Sequence, residues 1–222
     1  MLGRPQGGPV HRMIDTARRE RGFTLIEIMV ALVILSILLA VGVPSMRSWM
    51  MTTRATAAAE FYAEGMRVAR AEALRRNVVS RLTLTLNSTS GQQDWQVDIC
   101  KPTPTALCRD ATGPWSTTST PLTGNGVADF TSIFRSAKNL PKSNVMDVDI
   151  FPVGADDVYF TPVGWVDGNV AGNLTAVVVA PATGNAGAFP TTRVVLTGGG
   201  SVIKCNPAAT IGDKDSRKCP PT

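Results

Sequence analysis

The stretch Phe23-Thr24-Leu25-Ile26-Glu27-Ile28-Met29-Val30-Ala31-Leu32-Val33-Ile34-Leu35-Ser36-Ile37-Leu38-Leu39-Ala40-Val41-Gly42-Val43 decides the architecture. Its apolar character is interrupted only by Thr24, Glu27, Ser36 and Gly42. Coiled as a helix it would span roughly 30 Å, the thickness of a bilayer's hydrocarbon core. One residue does not suit a plain anchor. A carboxylate within a membrane helix costs on the order of a few kcal/mol, less near an end. Glu27 has a simple role open to it, that of a helix-start acid favoured by the N-terminal dipole and reaching back to the interface.

The flanks differ in charge. Ahead of the run, residues 1–22 carry Arg4, Arg12, Arg18, Arg19 and Arg21 against Asp15 and Glu20, a net of +3 within a chain total of +5. Most of the basic excess therefore precedes the apolar run, where it reads as a positive-inside topology signal and not as a nucleic-acid footprint. The chain beyond the run would then be translocated. That part holds Cys100, Cys108, Cys205 and Cys219, an even number that suits two disulfides in an oxidising compartment. It holds no histidine, since His11 is the only one in the chain. The commonest general base and metal ligand are thus missing from the main domain. No enzyme, cofactor or metal centre is expected.

Arg21-Gly22-Phe23-Thr24-Leu25-Ile26-Glu27 resembles the processing site of type IV prepilins. The resemblance implies cleavage by prepilin peptidase between Gly22 and Phe23, followed by N-methylation of Phe23. Glu27 then becomes the fifth residue of the mature chain, where that family keeps a glutamate. A carboxylate there can pair with the new ammonium of a neighbouring subunit, because both charges gain from the low dielectric if the geometry is good. Pro44 falls where many such pilins have a helix-disrupting proline. Met13 is an alternative start to Met1 and would leave a shorter leader. An ordinary secretory signal with a small-residue site at Ala40-Val41-Gly42 explains the charge and the apolar run. It leaves the Gly-Phe-Thr-Leu-Ile-Glu string unexplained.

Beyond the run, Ala58, Phe61, Tyr62, Gly65, Ala69 and Ala73 recur at helical steps, with Glu60, Glu64, Arg67 and Arg75 on another face. Glu72 stands four residues before Arg76, an ion-pair spacing. From Val78 the period becomes two: Leu82, Leu84 and Leu86, a turn over Asn87–Gln92, then Trp95, Val97 and Ile99, which predicts a β-hairpin. Residues 101–143 are rich in Pro, Thr, Ser and Gly and predict a long surface connection. Further strands are expected at Val145–Ile150, Val158–Thr161, Leu174–Ala180, Arg193–Leu196 and Ser201–Lys204. The fold class is α+β: a long N-terminal helix packed on an antiparallel β-sheet domain. The expected organisation is a leader over 1–22, a membrane and filament-core helix over 23–43, an amphipathic helix over 44–77 and a periplasmic β-rich head over 78–222.

Ala69-Arg70-Ala71-Glu72-Ala73-Leu74-Arg75-Arg76-Asn77 and Tyr159-Phe160-Thr161-Pro162-Val163-Gly164 resemble the GspH/FimT group. Those are the FimT/FimU-like minor pilins and the H-type pseudopilins of type II secretion. The resemblance implies a minor pilin acting in filament assembly or priming, or an H-type pseudopilin. The partners it implies are prepilin peptidase, other major and minor pilins or pseudopilins, and the inner membrane.

Some relatives of that group bind DNA for transformation, and the C-terminal region carries Lys204, Arg217 and Lys218 as candidate contacts. The pattern tied to DNA binding is a Gly-Arg-x-Arg-like stretch. The matching region, Gly198-Gly199-Gly200-Ser201-Val202-Ile203-Lys204, has no arginine, so any binding would be weak and salt-sensitive.

Four cysteines allow three pairings. The two local ones are favoured because each pair brackets a loop leaving a strand. The acidic pairs Asp147/Asp149 and Asp156/Asp157 suit a solvent face, and their spacing matches no calcium loop. Gly198–Gly200 lacks the context and the lysine of a phosphate loop.

Overall fold

A computed structural model describes residues 22–100, 108–110, 112–119, 122–124, 127–208, 212 and 215–220. One helix, α1 (Leu25–Arg76), is followed by a β domain, as an α+β fold requires. The chain divides into two compact units, one ending at Pro44 and the other beginning at Ser45.

In the first unit every described side chain of the helix is exposed. Among the described residues this is the one helix long and apolar enough to cross a membrane. Its Ser36 is satisfied locally. The Oγ donates to the Leu32 carbonyl at 2.7 Å, the way a hydroxyl is accommodated inside an apolar helix.

In the second unit the same helix buries one stripe: Ala55, Ala58, Ala59, Tyr62, Ala63, Met66, Ala69 and Ala73. The three- and four-residue steps put these on one face. Small side chains let the sheets come close. A Cβ on Gly65 would lie 3.0 Å from Trp95 Cδ2 and 3.1 Å from Leu82 Cδ1. Gly65→Val should therefore overpack this contact and cost about 1–3 kcal/mol, read as a lowered unfolding midpoint of the head. The helix stops at Asn77, whose φ of 53° is left-handed. Val78 N–H then donates back to the Ala73 carbonyl at 3.2 Å, which satisfies one of the last orphan acceptors.

Two antiparallel sheets meet the helix. Sheet one contains β1 (Val79–Leu86), β2 (Gln93–Cys100), β5 (Ile133–Arg135) and β7 (Asp157–Phe160), in the order β5-β2-β1-β7. Sheet two contains β6 (Met146–Phe151), β8 (Ala176–Pro181), β9 (Thr192–Leu196) and β10 (Val202–Cys205), in the order β10-β9-β8-β6. Leu82, Leu84, Trp95 and Val97 from the first sheet and Val177, Val179, Val194 and Leu196 from the second join the helix stripe in one core. Ser80 Oγ ties sheet to helix through a buried 2.6 Å bond to the Ala69 carbonyl. The β1–β2 turn is held by Asn87, whose Oδ1 accepts from the Thr89 and Ser90 amides at 3.0 and 3.1 Å.

Several expectations need revision. Residues 101–143 are more than a connection: β3 (Leu122–Gly124) pairs with β4 (Val127–Phe130), β5 extends sheet one, and a 3-10 turn spans Ala137–Asn139. These pieces are three or four residues long and show no alternation. They are fixed by distant groups, such as Asp94, which accepts from the Ala137 amide and from Asn87 Nδ2. Residues 101–107 lie outside the described residues. Leu86, expected inward, is exposed at the end of its strand. Asp98, expected outward, is buried because Arg81, its cross-strand partner, reaches it at 2.9 Å and lies over the Trp115 ring.

Glu72 is 8% exposed and meets Arg75 at 2.7 Å and Arg76 at 2.8 Å. Burial pushes its carboxyl up, but the two guanidinium groups outweigh that and hold it below the ordinary value of 4.5. A depressed folded-state value stabilises the fold above the unfolded value, and that contribution is lost as pH falls through the folded one. Glu72→Gln should cost about 1 kcal/mol at neutral pH. It should also remove part of the acid dependence of stability below the ordinary carboxylate value, measured by denaturant melts across acidic pH.

Candidate functional site

The candidate site begins at the start of α1. Gly22 and Phe23 precede the helix, and both are exposed, Phe23 to 77%. Thr24 caps the helix: its Oγ1 accepts from the Glu27 amide at 3.3 Å, and its carbonyl accepts from Glu27 and Ile28 at 3.1 and 3.2 Å. Threonine at the cap with glutamate three residues on is the spacing of a capping box. Phe23 and Ile28, the positions of a hydrophobic staple, line the same shallow groove of ≈ 380 Å³. The residues at the front of the apolar run thus start the helix. The backbone of Glu27 is used in that start, while its carboxylate is exposed and makes no ion pair among the described residues. Position 44 is helical in backbone.

The other candidates lie in the second unit, far along the chain. Both local disulfides are formed, Cys100–Cys108 and Cys205–Cys219. The second brings the C-terminal segment back to β10, where Asn206 N–H donates to the Arg217 carbonyl at 2.6 Å. Lys204 is not a free cation. Its ammonium pairs with Glu60 of α1, which also takes Arg67. Hydrogen bonds from Lys204 and Arg67 hold the Glu60 carboxyl below its ordinary value. Arg217 pairs with Asp215 at 2.8 Å, and that hydrogen-bonded partner pulls the Asp215 carboxyl down to about 2. The Lys218 amide donates to the Asp215 carbonyl at 3.0 Å. Two of the three candidate DNA contacts therefore already carry a carboxylate partner.

Gly200 serves packing. A Cβ there, at a φ of +75°, would fall 2.1 Å from the Gly164 carbonyl oxygen, and that oxygen also accepts from Arg70 Nε at 3.1 Å. No sequence signal marks Glu60 as the counter-ion of Lys204, because the two are 144 residues apart. The Arg81–Asp98 pair was findable, since the hairpin register sets the two residues opposite each other.

The family described as Prokaryotic N-terminal methylation motif matches residues 17–43. That motif, with the long apolar helix and the β domain, fits a type IV pilin-like protein. A search of curated proteins finds no match, and a search of solved structures finds none either. A methylation motif of this kind implies processing by prepilin peptidase and assembly with other pilins. With the apolar helix it also suggests membrane anchoring and incorporation into a pilus.

Proposed function

We propose that the chain is a minor pilin of a type IV pilus, cut after Gly22, N-methylated at Phe23, and active in the assembly or priming of the filament. The observation that carries this reading is the methylation motif set on a helix whose apolar side chains from Phe23 to Val43 are exposed along their whole length. Such a surface needs lipid before assembly and other helices after it. Glu27 supplies the register: an exposed carboxylate near the start of that helix, without an ion pair among the described residues, suits the ammonium of a neighbouring subunit's Phe23. The role is that of a structural subunit, without catalysis. Its head faces the periplasm, on the strength of the arginines ahead of the apolar run.

The test is co-purification of the tagged mature chain with other prepilin-type subunits from a producing strain, together with its detection in sheared filaments. Absence from both fractions, with the chain present in the membrane, overturns the reading. An H-type pseudopilin would share the processing and differ in which assembly it restores, so complementation of a pilus mutant and of a secretion mutant separates the two. A DNA-capturing subunit is less favoured, because Lys204 and Arg217 are engaged by Glu60 and Asp215.

A further inference from the structure

Two surface features of the second unit complement each other. The first is a groove of ≈ 450 Å³ beside α1. Arg67, Arg70, Ala71 and Leu74 line one side of it, at the three- and four-residue steps of a single helix face. The turn around Gly200 lines the other side. The turn that ends at Trp165 is pinned against the same place. Arg70 Nε donates to the Gly164 carbonyl at 3.1 Å, and a Cβ on Gly164 would fall 2.9 Å from Leu74 Cγ. The apolar side chains around this junction are open to solvent: Leu74 is 49% exposed, Val163 63% and Trp165 62%. No carboxylate lines the groove. Arg67 is taken by Glu60, whereas Arg70 has no ion pair among the described residues.

The second feature is a projecting turn between β6 and β7. The Ala155 amide donates to the Pro152 carbonyl at 3.0 Å, and Gly154 closes the turn with a φ of +82°. Val153 stands at the tip and is 93% exposed. Asp149 and Asp156 flank the turn in sequence. Both are exposed, and neither has an ion pair among the described residues. Phe151 shares the exposed face of β6 with Asp149.

Strand β7 lies between the two features. The Val153 turn leads into Asp157, and the Trp165 turn leaves from Phe160, about 10 Å of strand further on. The strand keeps the turn of one chain out of its own groove. An apolar tip between carboxylates nevertheless matches an apolar groove with an arginine that lacks a carboxylate, in both shape and charge. A nucleic acid would ask for several such cations.

We propose that the Val153 turn of one copy docks in the Arg70–Leu74 groove of a second copy. Val153 meets Leu74 and Trp165 there, and Asp149 and Asp156 face Arg70. The contact joins two different patches, so each pair leaves one turn and one groove free and the contact can repeat along a row of subunits. The proposal rests on the filament-subunit reading above and adds which surfaces of the heads meet.

The experiment uses the full chain in membranes and sheared filaments of a producing strain. Two differently tagged copies are produced together, one carrying Val153→Cys and the other Ala71→Cys, and are oxidised mildly with copper phenanthroline. A cross-linked pair carrying both tags should form, with the disulfide between positions 153 and 71 confirmed by peptide mass spectrometry. Two copies that both carry Val153→Cys should not link, because the tips do not meet each other. Trp165→Glu, added to the Ala71→Cys copy, should lower the yield about tenfold, the scale for losing an aromatic anchor at an interface. Trp165→Phe should keep the yield and controls for folding, since the side chain is exposed in the single copy.

A yield unchanged by Trp165→Glu overturns the contact. Equal linking of two Val153→Cys copies does so too, as random collision. A cross-link from position 153 to a different protein overturns the second copy as occupant. The amount of the chain in sheared filaments is scored in parallel. Absence from filaments defeats the filament-subunit reading, whereas presence there without the 153-to-71 link defeats this contact alone.

Discussion

Gly22→Leu should leave the chain as unprocessed precursor, with the mature form falling from nearly all of the protein to nearly none. A Cβ at Gly22 would meet nothing within 4 Å, and the residue lies ahead of the first helical turn. The substitution therefore has no route to the stability of the head. Loss of processing would reflect recognition by the peptidase and nothing else. Immunoblots of membrane fractions resolve the two forms, and the melting profile of the head serves as the control that should not move. Efficient cleavage of the leucine variant at the same bond would contradict the assignment of Gly22.

Trp95→Ala should cost the head about 3–5 kcal/mol, the range for emptying a buried aromatic site. Trp95 is 1% exposed, is packed on Phe61 at 5.9 Å between ring centroids, and touches the helix where Gly65 admits it. The indole Nε1 is buried without a hydrogen-bond partner, so Trp95→Phe should recover most of the loss. For a domain of this size the alanine variant should melt on the order of 10 °C lower. A shift of only a degree or two would mean that helix and sheet do not share this core.

How much was legible in the sequence varied with the physics that fixes each element. The apolar run and the residues starting it were readable because they are local: length, charge asymmetry and the Gly22-to-Glu27 string all lie within a few turns. The β1–β2 hairpin was readable from its alternation, and its register pairs Leu82 with Val97 and Leu84 with Trp95. The later strands were placed to within a residue or two because each is a short apolar run between turn residues.

The structure between residues 101 and 143 was not readable. β5 owes its place to pairing with β2, and the turn after it owes its place to Asp94, neither of which leaves a periodic trace. The candidate site divides the same way. Glu27, Gly22 and Phe23 stand out locally. The pairing of Lys204 with Glu60 needed the fold, and it ties one residue of the basic C-terminal region into the head's own ion-pair network.

Whether Phe23 becomes the first residue of a membrane-anchored filament subunit can be read from the chain itself, purified from membranes. Intact-mass and N-terminal peptide mass spectrometry should find a mature chain that begins at Phe23 and carries one added methyl group on its terminal nitrogen. A chain that begins after Gly42, or one that retains residues ahead of Phe23, would contradict it.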